Sequence, residues 1–312
     1  TNLVDIIVDE GNAIYSSEDG VLFNKSRSTL IQCPSGKSGS YSIPGSVTSI
    51  GERAFFICYR LAGITIPDSV TSIGEYAFFD CASLGSIMIP DSVTRIKDHA
   101  FRDCISLTNI IIPGSVISVG NYAFSGCTNL TNVTIPATIA SIGEGAFFGC
   151  TRLPTVTIPD SVTHIGDGAF IGCASLADVT IPHSINNVGV ALFRFCTNLV
   201  SITIPGNVTN IGYNSFEGCS NLTSITISKG ITSIGGAAFS GCTSLTNVTI
   251  PDSVISIGDG AFSGCASLTN VAIPDSVTDI GYEAFSGCAS LASVAIPGGI
   301  TSLGGCAFAF CV

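Results

Sequence analysis

Cysteine returns every 23 residues along this chain, at positions 58, 81, 104, 127, 150, 173, 196, 219, 242, 265, 288 and 311. The same step carries an unbroken phenylalanine row from Phe55 to Phe308 and a leucine row from Leu61 to Leu291. A proline row from Pro44 to Pro297 is interrupted only at Ser228. One unit reads Leu84-x-x-Ile87-x-Ile89-Pro90-x-x-Val93-x-x-Ile96-x-x-x-Ala100-Phe101-x-x-Cys104, and Leu107 opens the next. A fixed period of this length is the mark of a repeat array, so dividing the 312 residues into average-sized domains has no meaning here.

Within a unit, Leu-x-x-Ile-x-Ile alternates apolar and polar residues over its last part, the period of a strand with one buried face. Proline then ends the strand, because it has no N–H to donate to a ladder. The second half, such as Val254-Ile255-Ser256-Ile257-Gly258-Asp259-Gly260-Ala261-Phe262, is too short and glycine-rich for a full helix. It predicts a second extended segment followed by a single tight turn. One such coil cannot bury its own Ile, Phe and Leu; only stacking on its neighbours gives a continuous core. The predicted fold is a repeat solenoid of stacked parallel β coils with short turns and little helix, the coils about 4.8 Å apart.

The motif Ala-Phe-x-x-Cys-x-x-Leu-x-x-Ile-x-Ile-Pro, matched by Ala77-Phe78, Cys81, Leu84, Ile87, Ile89 and Pro90 and by nearly every other copy, resembles the BspA-like, Treponema-type leucine-rich-repeat proteins. The resemblance covers residues 41–312. It implies a curved leucine-rich-repeat solenoid, found on bacterial or protist surfaces and associated with attachment to host proteins or other cells. Departures are few: Leu192 and Ser215 stand for the alanine before phenylalanine, Lys97 for a glycine and Ser228 for a proline.

Residues 1–40 read as an irregular N-terminal coil, and 41–312 as one continuous run of 23-residue repeats. Leu3, Ile6 and Val8 fit strand positions, and the next strand returns only at Tyr41 and Ile43. The insertion holds Asp19-Gly20 between two strand-like runs within Ala13–Phe23, which predicts a β-hairpin; the similar family also carries such Asp-Gly-Val-Leu-Phe insertions. Thr1 and Cys311-Val312 both cut through a unit, so the chain is expected to be a fragment. Phe308, Phe310 and Val312 are expected to leave an open edge that frays after about Ile300 or associates end to end.

Only 11% of residues are charged against 46% hydrophobic, so the core is large and the surface is mostly Ser, Thr, Asn and Gly. A net charge of -11 gives no excess of cations to meet phosphates, so no nucleic-acid partner is expected. No run of 18 apolar residues is present, so no membrane insertion is expected within this chain, and any signal or anchor lies outside it.

Fourteen cysteines raise the question of disulfides or zinc. No C-x-x-C pair occurs, and the ladder step puts each thiol at an equivalent inward position, where parallel Cβ vectors suit a disulfide poorly. The ladder cysteines read as small buried hydrophobes. Cys33 and Cys306 stand outside the register and are the better candidates for reactive thiols, though a structural role is favoured for both. His99, His164 and His183 occupy three different repeat positions and form no row. Acidic residues beside the repeat glycine (Glu52, Glu75, Asp98, Glu144, Asp167, Asp259) and after proline (Asp68, Asp91, Asp160, Asp252, Asp275) are explained by turn and cap chemistry. No nucleophile motif or phosphate loop is present. No catalysis, cofactor or metal is expected.

The outward strand positions are the candidate binding face. Thr134, Thr157, Thr180, Thr203, Thr226 and Thr249 recur in six consecutive coils. Two residues earlier come Asn132, Thr155, Asp178, Ser201, Ser224 and Asn247, and Asn109 precedes them in the same row. In the second and third coils the threonine row turns apolar, with Met88 and Ile111. Threonine is also simply a good strand former, but the open sheet face of a solenoid is its usual binding surface. The expected function is a non-catalytic adhesion or recognition module, extracellular or at the cell surface, for a host or neighbouring-cell protein or glycan. A structural spacer is the alternative, and a threonine-rich face that orders water or ice a more distant one. Tyr59, Phe79, Tyr122, Tyr213 and Tyr282 read as scattered aromatics.

Overall fold

A computed structural model describes residues 3–311. The chain divides into two compact units, 1–153 and 154–312. Each is a parallel β-solenoid, and among the described residues no helix forms.

In the first unit, Gly39–Ser42, Leu61–Thr65, Ser86–Ile87, Asn109–Ile111 and Asn132–Thr134 hydrogen-bond in that order. The register is one full repeat per step, with Asn109 opposite Asn132 and Ile111 opposite Thr134. A second set of two-residue strands, among them Ser72–Ile73, Arg95–Ile96, Ser118–Val119 and Ser141–Ile142, runs along the other side of each coil. In the second unit Ser201–Ile204, Ser224–Ile227, Asn247–Thr249 and Asn270–Ala272 form the first set. Asn187–Val188, Asn210–Ile211, Ser233–Ile234, Ser256–Ile257, Asp279–Ile280 and Ser302–Leu303 form the second. Where Ser228 replaces proline, its N–H donates to Ile204 O at 3.1 Å, the bond a proline cannot make.

The inward residues of one coil show how the period becomes a core. Leu107, Ile110, Ile112, Val116, Val119, Ala123, Phe124 and Cys127 are all buried. The phenylalanines stack face to face, with centroids 5.1 Å apart for Phe55–Phe78 and 5.4 Å for Phe101–Phe124 in the first unit. In the second they are 5.6 Å apart for Phe193–Phe216 and 5.2 Å for Phe239–Phe262. The repeat cysteines from Cys58 to Cys288 are reduced thiols, all buried. They are also hydrogen-bond donors: Cys104 Sγ donates to Phe78 O at 3.1 Å and Cys242 Sγ to Phe216 O at 3.2 Å, each reaching back across a coil. Burial pushes the Cys219 and Cys288 thiols up to about 12.

The end of each coil is not the single tight turn that its length suggested. In the coil around Phe147, Ala146 N–H donates to Gly143 O, Phe148 to Gly145 O and Cys150 to Phe147 O. A chain of linked turns is needed because Ala146, Phe147 and Cys150 must all point inward within five residues. Two left-handed residues per coil accomplish this, such as Gly145 (φ 54°) and Gly149 (φ 70°). The repeat glycine ahead of these turns is obligatory for a different reason: a Cβ on Gly143 would lie 2.5 Å from the backbone of Gly120.

At the start of the first unit, Tyr15–Glu18 and Val21–Asn24 form an antiparallel hairpin whose turn, Asp19-Gly20, has both φ angles positive (48° and 74°), the geometry an Asp-Gly turn supplies. Val21–Asn24 continues antiparallel to Thr29–Gln32, which joins the coil sheet in parallel with Ser49–Ile50. Val21, Phe23 and Leu30 close this end of the core. Because they fill the place of a first coil, Leu3, Ile6 and Val8 are not in a strand. Instead Ile6 N–H donates to Gly20 O and Val8 N–H to Ser17 Oγ, leaving Leu3, Val4 and Ile7 exposed. At the far end of the second unit, Phe308 still stacks on Phe285 at 5.4 Å, while Leu303 and Phe310 are exposed; Val312 lies outside the described residues.

Two outcomes follow from this core. Phe124→Ala, which opens the stack between Phe101 and Phe147, should lower stability by about 3–5 kcal/mol in denaturant titrations; a loss below about 1 kcal/mol would contradict a close-packed ladder. Thiol titration of the native protein should label Cys306 and Cys311 rapidly and the twelve buried cysteines only in denaturant, whereas rapid labelling of ten or more would refute the buried column.

Candidate binding faces

On the first-set strands the inward residues Ile110, Val133, Ile202, Ile225 and Val248 are buried, so period-2 alternation turns their neighbours outward. In the first unit, Met88, Asn109, Ile111, Asn132 and Thr134 are all exposed. Met88 is 82% and Ile111 59% accessible. With Ser86, Ile87 and Asn109 they line a shallow concavity of about 200 Å³. Asn132 Nδ2 donates to Asn109 Oδ1 at 3.0 Å beside it. In the second unit, Thr157, Asp178, Thr180, Thr203, Thr226 and Thr249 are exposed. Thr203 stands opposite Thr226. Thr157 and Thr180 lie one residue beyond the short strands Thr155–Val156 and Asp178–Val179, and face outward all the same.

Hydroxyl bonding separates structural threonines from available ones. Thr131 Oγ1 donates to Thr108 O at 3.0 Å and Thr223 Oγ1 to Val200 O at 3.1 Å, tying successive coils at the edge of the sheet. By contrast, among the described residues no partner within the chain takes the hydroxyls of Thr134, Thr157, Thr180, Thr203, Thr226 or Thr249. The edge rows hold coils together, and the face rows are left to solvent.

The aspartates of the acidic row beside the repeat glycine work as inter-coil caps. Asp98 Oδ1 accepts Asn121 N–H at 2.8 Å, Asp167 Oδ1 accepts Val190 N–H at 2.9 Å and Asp259 Oδ1 accepts Tyr282 N–H at 2.7 Å. Of the two cysteines outside the register, Cys33 is buried and Cys306 exposed, so only Cys306 remains a candidate for reactivity.

One cluster escaped the sequence reading. Arg53, Tyr76, His99 and Tyr122 share one repeat position, with φ between 53° and 56°. Their side chains form a column: the Arg53 guanidinium lies 4.8 Å from the Tyr76 ring, Tyr76 and His99 stack at 4.4 Å, and His99 and Tyr122 at 5.2 Å. Tyr122 donates to Glu144. Phe56 and Phe79 stack alongside at 5.0 Å, and Arg102 sits 5.8 Å from Phe79 and 5.9 Å from Tyr122. Phe79 and Tyr122 are therefore parts of one group, while Tyr59 lies apart with Arg60. The 23-residue step was the available signal, masked because the four residue types differ. A left-handed non-glycine residue costs about 1 kcal/mol, and a stacked aromatic pair returns about the same. The column is thus close to neutral for stability where glycine, as at Gly145, would carry no strain.

His99 Nδ1 is buried without a hydrogen-bond partner. Burial holds its pKa below the usual 6.5, helped by Arg102 and opposed by Asp98, Glu75 and Asp103. Folding therefore favours the neutral imidazole. The unfolded chain takes up the proton first, so this contribution to stability is present above pH 6.5 and declines as pH falls toward the lowered folded-state value. Denaturation of wild type and His99→Gln between pH 7.5 and 5.5 should show a loss on acidification in the wild type that is smaller in the variant. Identical slopes would mean that the stack does not select the neutral ring.

The solenoid has solved counterparts. A leucine-rich repeat protein from Bacteroides ovatus is 27% identical, with a TM-score of 0.57 over 91% of this chain and 85% of that one. A leucine rich cell surface protein from Faecalibacterium prausnitzii is 29% identical, with a TM-score of 0.56 over 92% of this chain and 95% of that one. The pneumococcal vaccine antigen PcpA, 20% identical with a TM-score of 0.59 over 95% of this chain and 75% of that one, shares the fold. No curated protein matches the sequence. A family model for the BspA type leucine rich repeat region matches residues 32–134, 117–245 and 209–312, in six copies. With the 23-residue coil, its buried Phe and Cys columns and its parallel strands, that match establishes that the chain belongs to the BspA-type leucine-rich repeat family.

Proposed function

We propose that the chain is a non-catalytic recognition module of a secreted or surface-displayed protein, and that it engages a protein partner through the open strand face of its first unit. The observation that carries this reading is the pair Met88 and Ile111. Two large apolar side chains stand outward, side by side, in a row that holds threonine at Thr65 and again from Thr134 to Thr249. An apolar centre flanked by polar side chains is the usual anatomy of a protein interface. Asn109, Asn132 and Thr134 supply the polar flank. The surface location draws support from the likeness to the F. prausnitzii protein described as a cell surface protein.

A screen of the chain against extracellular-matrix and cell-surface proteins tests the reading. Met88→Asp combined with Ile111→Asp should weaken any captured partner at least 10-fold, as expected for loss of interface hot spots. Both side chains are exposed, so the variant should keep the wild-type unfolding curve. Unchanged affinity in the double variant would place the interface elsewhere, and the absence of any partner would favour a spacer.

A further inference from the structure

The second unit carries a groove on its other side, along the two-residue strands Asn187–Val188, Asn210–Ile211, Ser233–Ile234 and Ser256–Ile257. These pair in register, so that Asn187, Asn210, Ser233 and Ser256 form one outward row. The groove has a volume of about 530 Å³. Its floor is the column Gly189, Gly212, Gly235 and Gly258. That column is recessed because a Cβ on Gly212 or Gly235 would lie 2.6 or 2.7 Å from the backbone of the preceding coil. On the far side of the floor stand Asp167, Val190, Tyr213 and Gly236.

This far wall departs from the repeat. Its position is held by capping carboxylates at Asp98, Asp167 and Asp259, but in three successive coils it holds Val190, Tyr213 and Gly236. The cap at Asp167 takes the Val190 N–H. Past it, among the described residues no acceptor within the chain takes the backbone N–H of Tyr213 or Gly236, both of which line the groove. Tyr213 is 63% exposed and its ring lies over Gly236, where a Cβ would come within 2.7 Å of Tyr213 Cε1. Tyr213 places an exposed aromatic ring where an aspartate stands in other coils, and Gly236 keeps the next position bare beneath it, a pairing repeated at Tyr282 and Gly305.

The groove therefore offers an open aromatic ring, two free backbone donors, the amide of Asn187 and the hydroxyl of Ser256, while between them Ser233 Oγ donates to Asn210 Oδ1 and Asn210 Nδ2 to Thr209 Oγ1, leaving each a remaining lone pair or N–H. The only lining carboxylate, Asp167, is already engaged, and no cation lines the groove. From this inventory we infer that the groove binds a neutral oligosaccharide. A pyranose presents a C–H face to the tyrosine ring and hydroxyls, which both donate and accept, to the amide and serine row. With one carboxylate and no cation in its lining, the groove matches an uncharged ligand, since a sulfated or sialylated chain would meet Asp167 and no compensating cation. Three inter-coil steps separate Asn187 from Ser256, or about 14 Å at sheet spacing, the length of a short oligosaccharide.

The test is an array of neutral tri- to pentasaccharides of hexose and N-acetylhexosamine, printed beside sulfated and sialylated counterparts, probed with the intact chain and followed by calorimetry on the neutral hits. Neutral hits should be retained, with Tyr213→Ala and, separately, Asn187→Ala each weakening them at least 10-fold. Tyr213→Phe should bind close to wild type. Met88→Asp with Ile111→Asp, on the protein face of the other unit, should leave the affinity unchanged, which keeps this inference separate from the proposed function. Tyr213 and Asn187 are exposed, so the unfolding curves of these variants should overlay the wild type. Retention of charged glycans alone, no glycan retained, or full affinity in Tyr213→Ala would each overturn the assignment.

Discussion

The backbone hydrogen bond from one coil to the next is the interaction from which the rest of the molecule follows. It forms at two sets of strands and again along the turns, where Phe124 N–H donates to Ala146 O and Phe239 N–H to Ala261 O. Stacking at sheet spacing on every side of the coil leaves no room for coils of unequal length, and this is what holds the sequence to its period. It also explains the residues at fixed places. The repeat glycine permits backbone approach, phenylalanine fills the space between sheets, and the thiol donates to a carbonyl that the ladder leaves over. Lateral stacking, rather than any one side chain, creates the core, so each unit's stability accumulates coil by coil.

The same constraint explains which parts of the structure were legible in the sequence. Strand positions, the buried Leu, Ile, Phe and Cys columns and the outward threonines follow from period and alternation alone, and Asp19-Gly20 shows its turn in the residue types. The residues at 3–9 were not legible, because alternation at Leu3, Ile6 and Val8 says nothing about whether a partner edge is free, and the hairpin with Thr29–Gln32 had already taken it. The thiols' role as donors was hidden because burial of a cysteine is equally consistent with a purely apolar one.

The candidate surfaces divide in the same way. Met88 and Ile111 could be found by following one outward row until its chemistry changed. The column of Arg53, Tyr76, His99 and Tyr122, and the groove beside Tyr213, depend on how the linked turns aim side chains. That aim comes from two left-handed residues per coil, which no alternation encodes. Aromatic residues that look dispersed along the chain are brought together in one case, Phe79 with Tyr122, and kept apart in another, Tyr59.

The thiol column has a consequence for how the chain reaches its native state. Before folding, fourteen cysteines are exposed at once, and nearly any pair of them could be oxidised into a crosslink that the stacked coils cannot accommodate. The solenoid's contacts are between neighbours in sequence, which favours rapid zipping from coil to coil, and each added coil withdraws one more sulfur from oxidants. In an oxidising compartment the yield of native protein is then set by a race between zipping and disulfide formation. At the hairpin end of the first unit Cys33 and Cys58 are both buried, with Cys58 Sγ donating to Cys33 O, so closing that end withdraws two sulfurs from the race together.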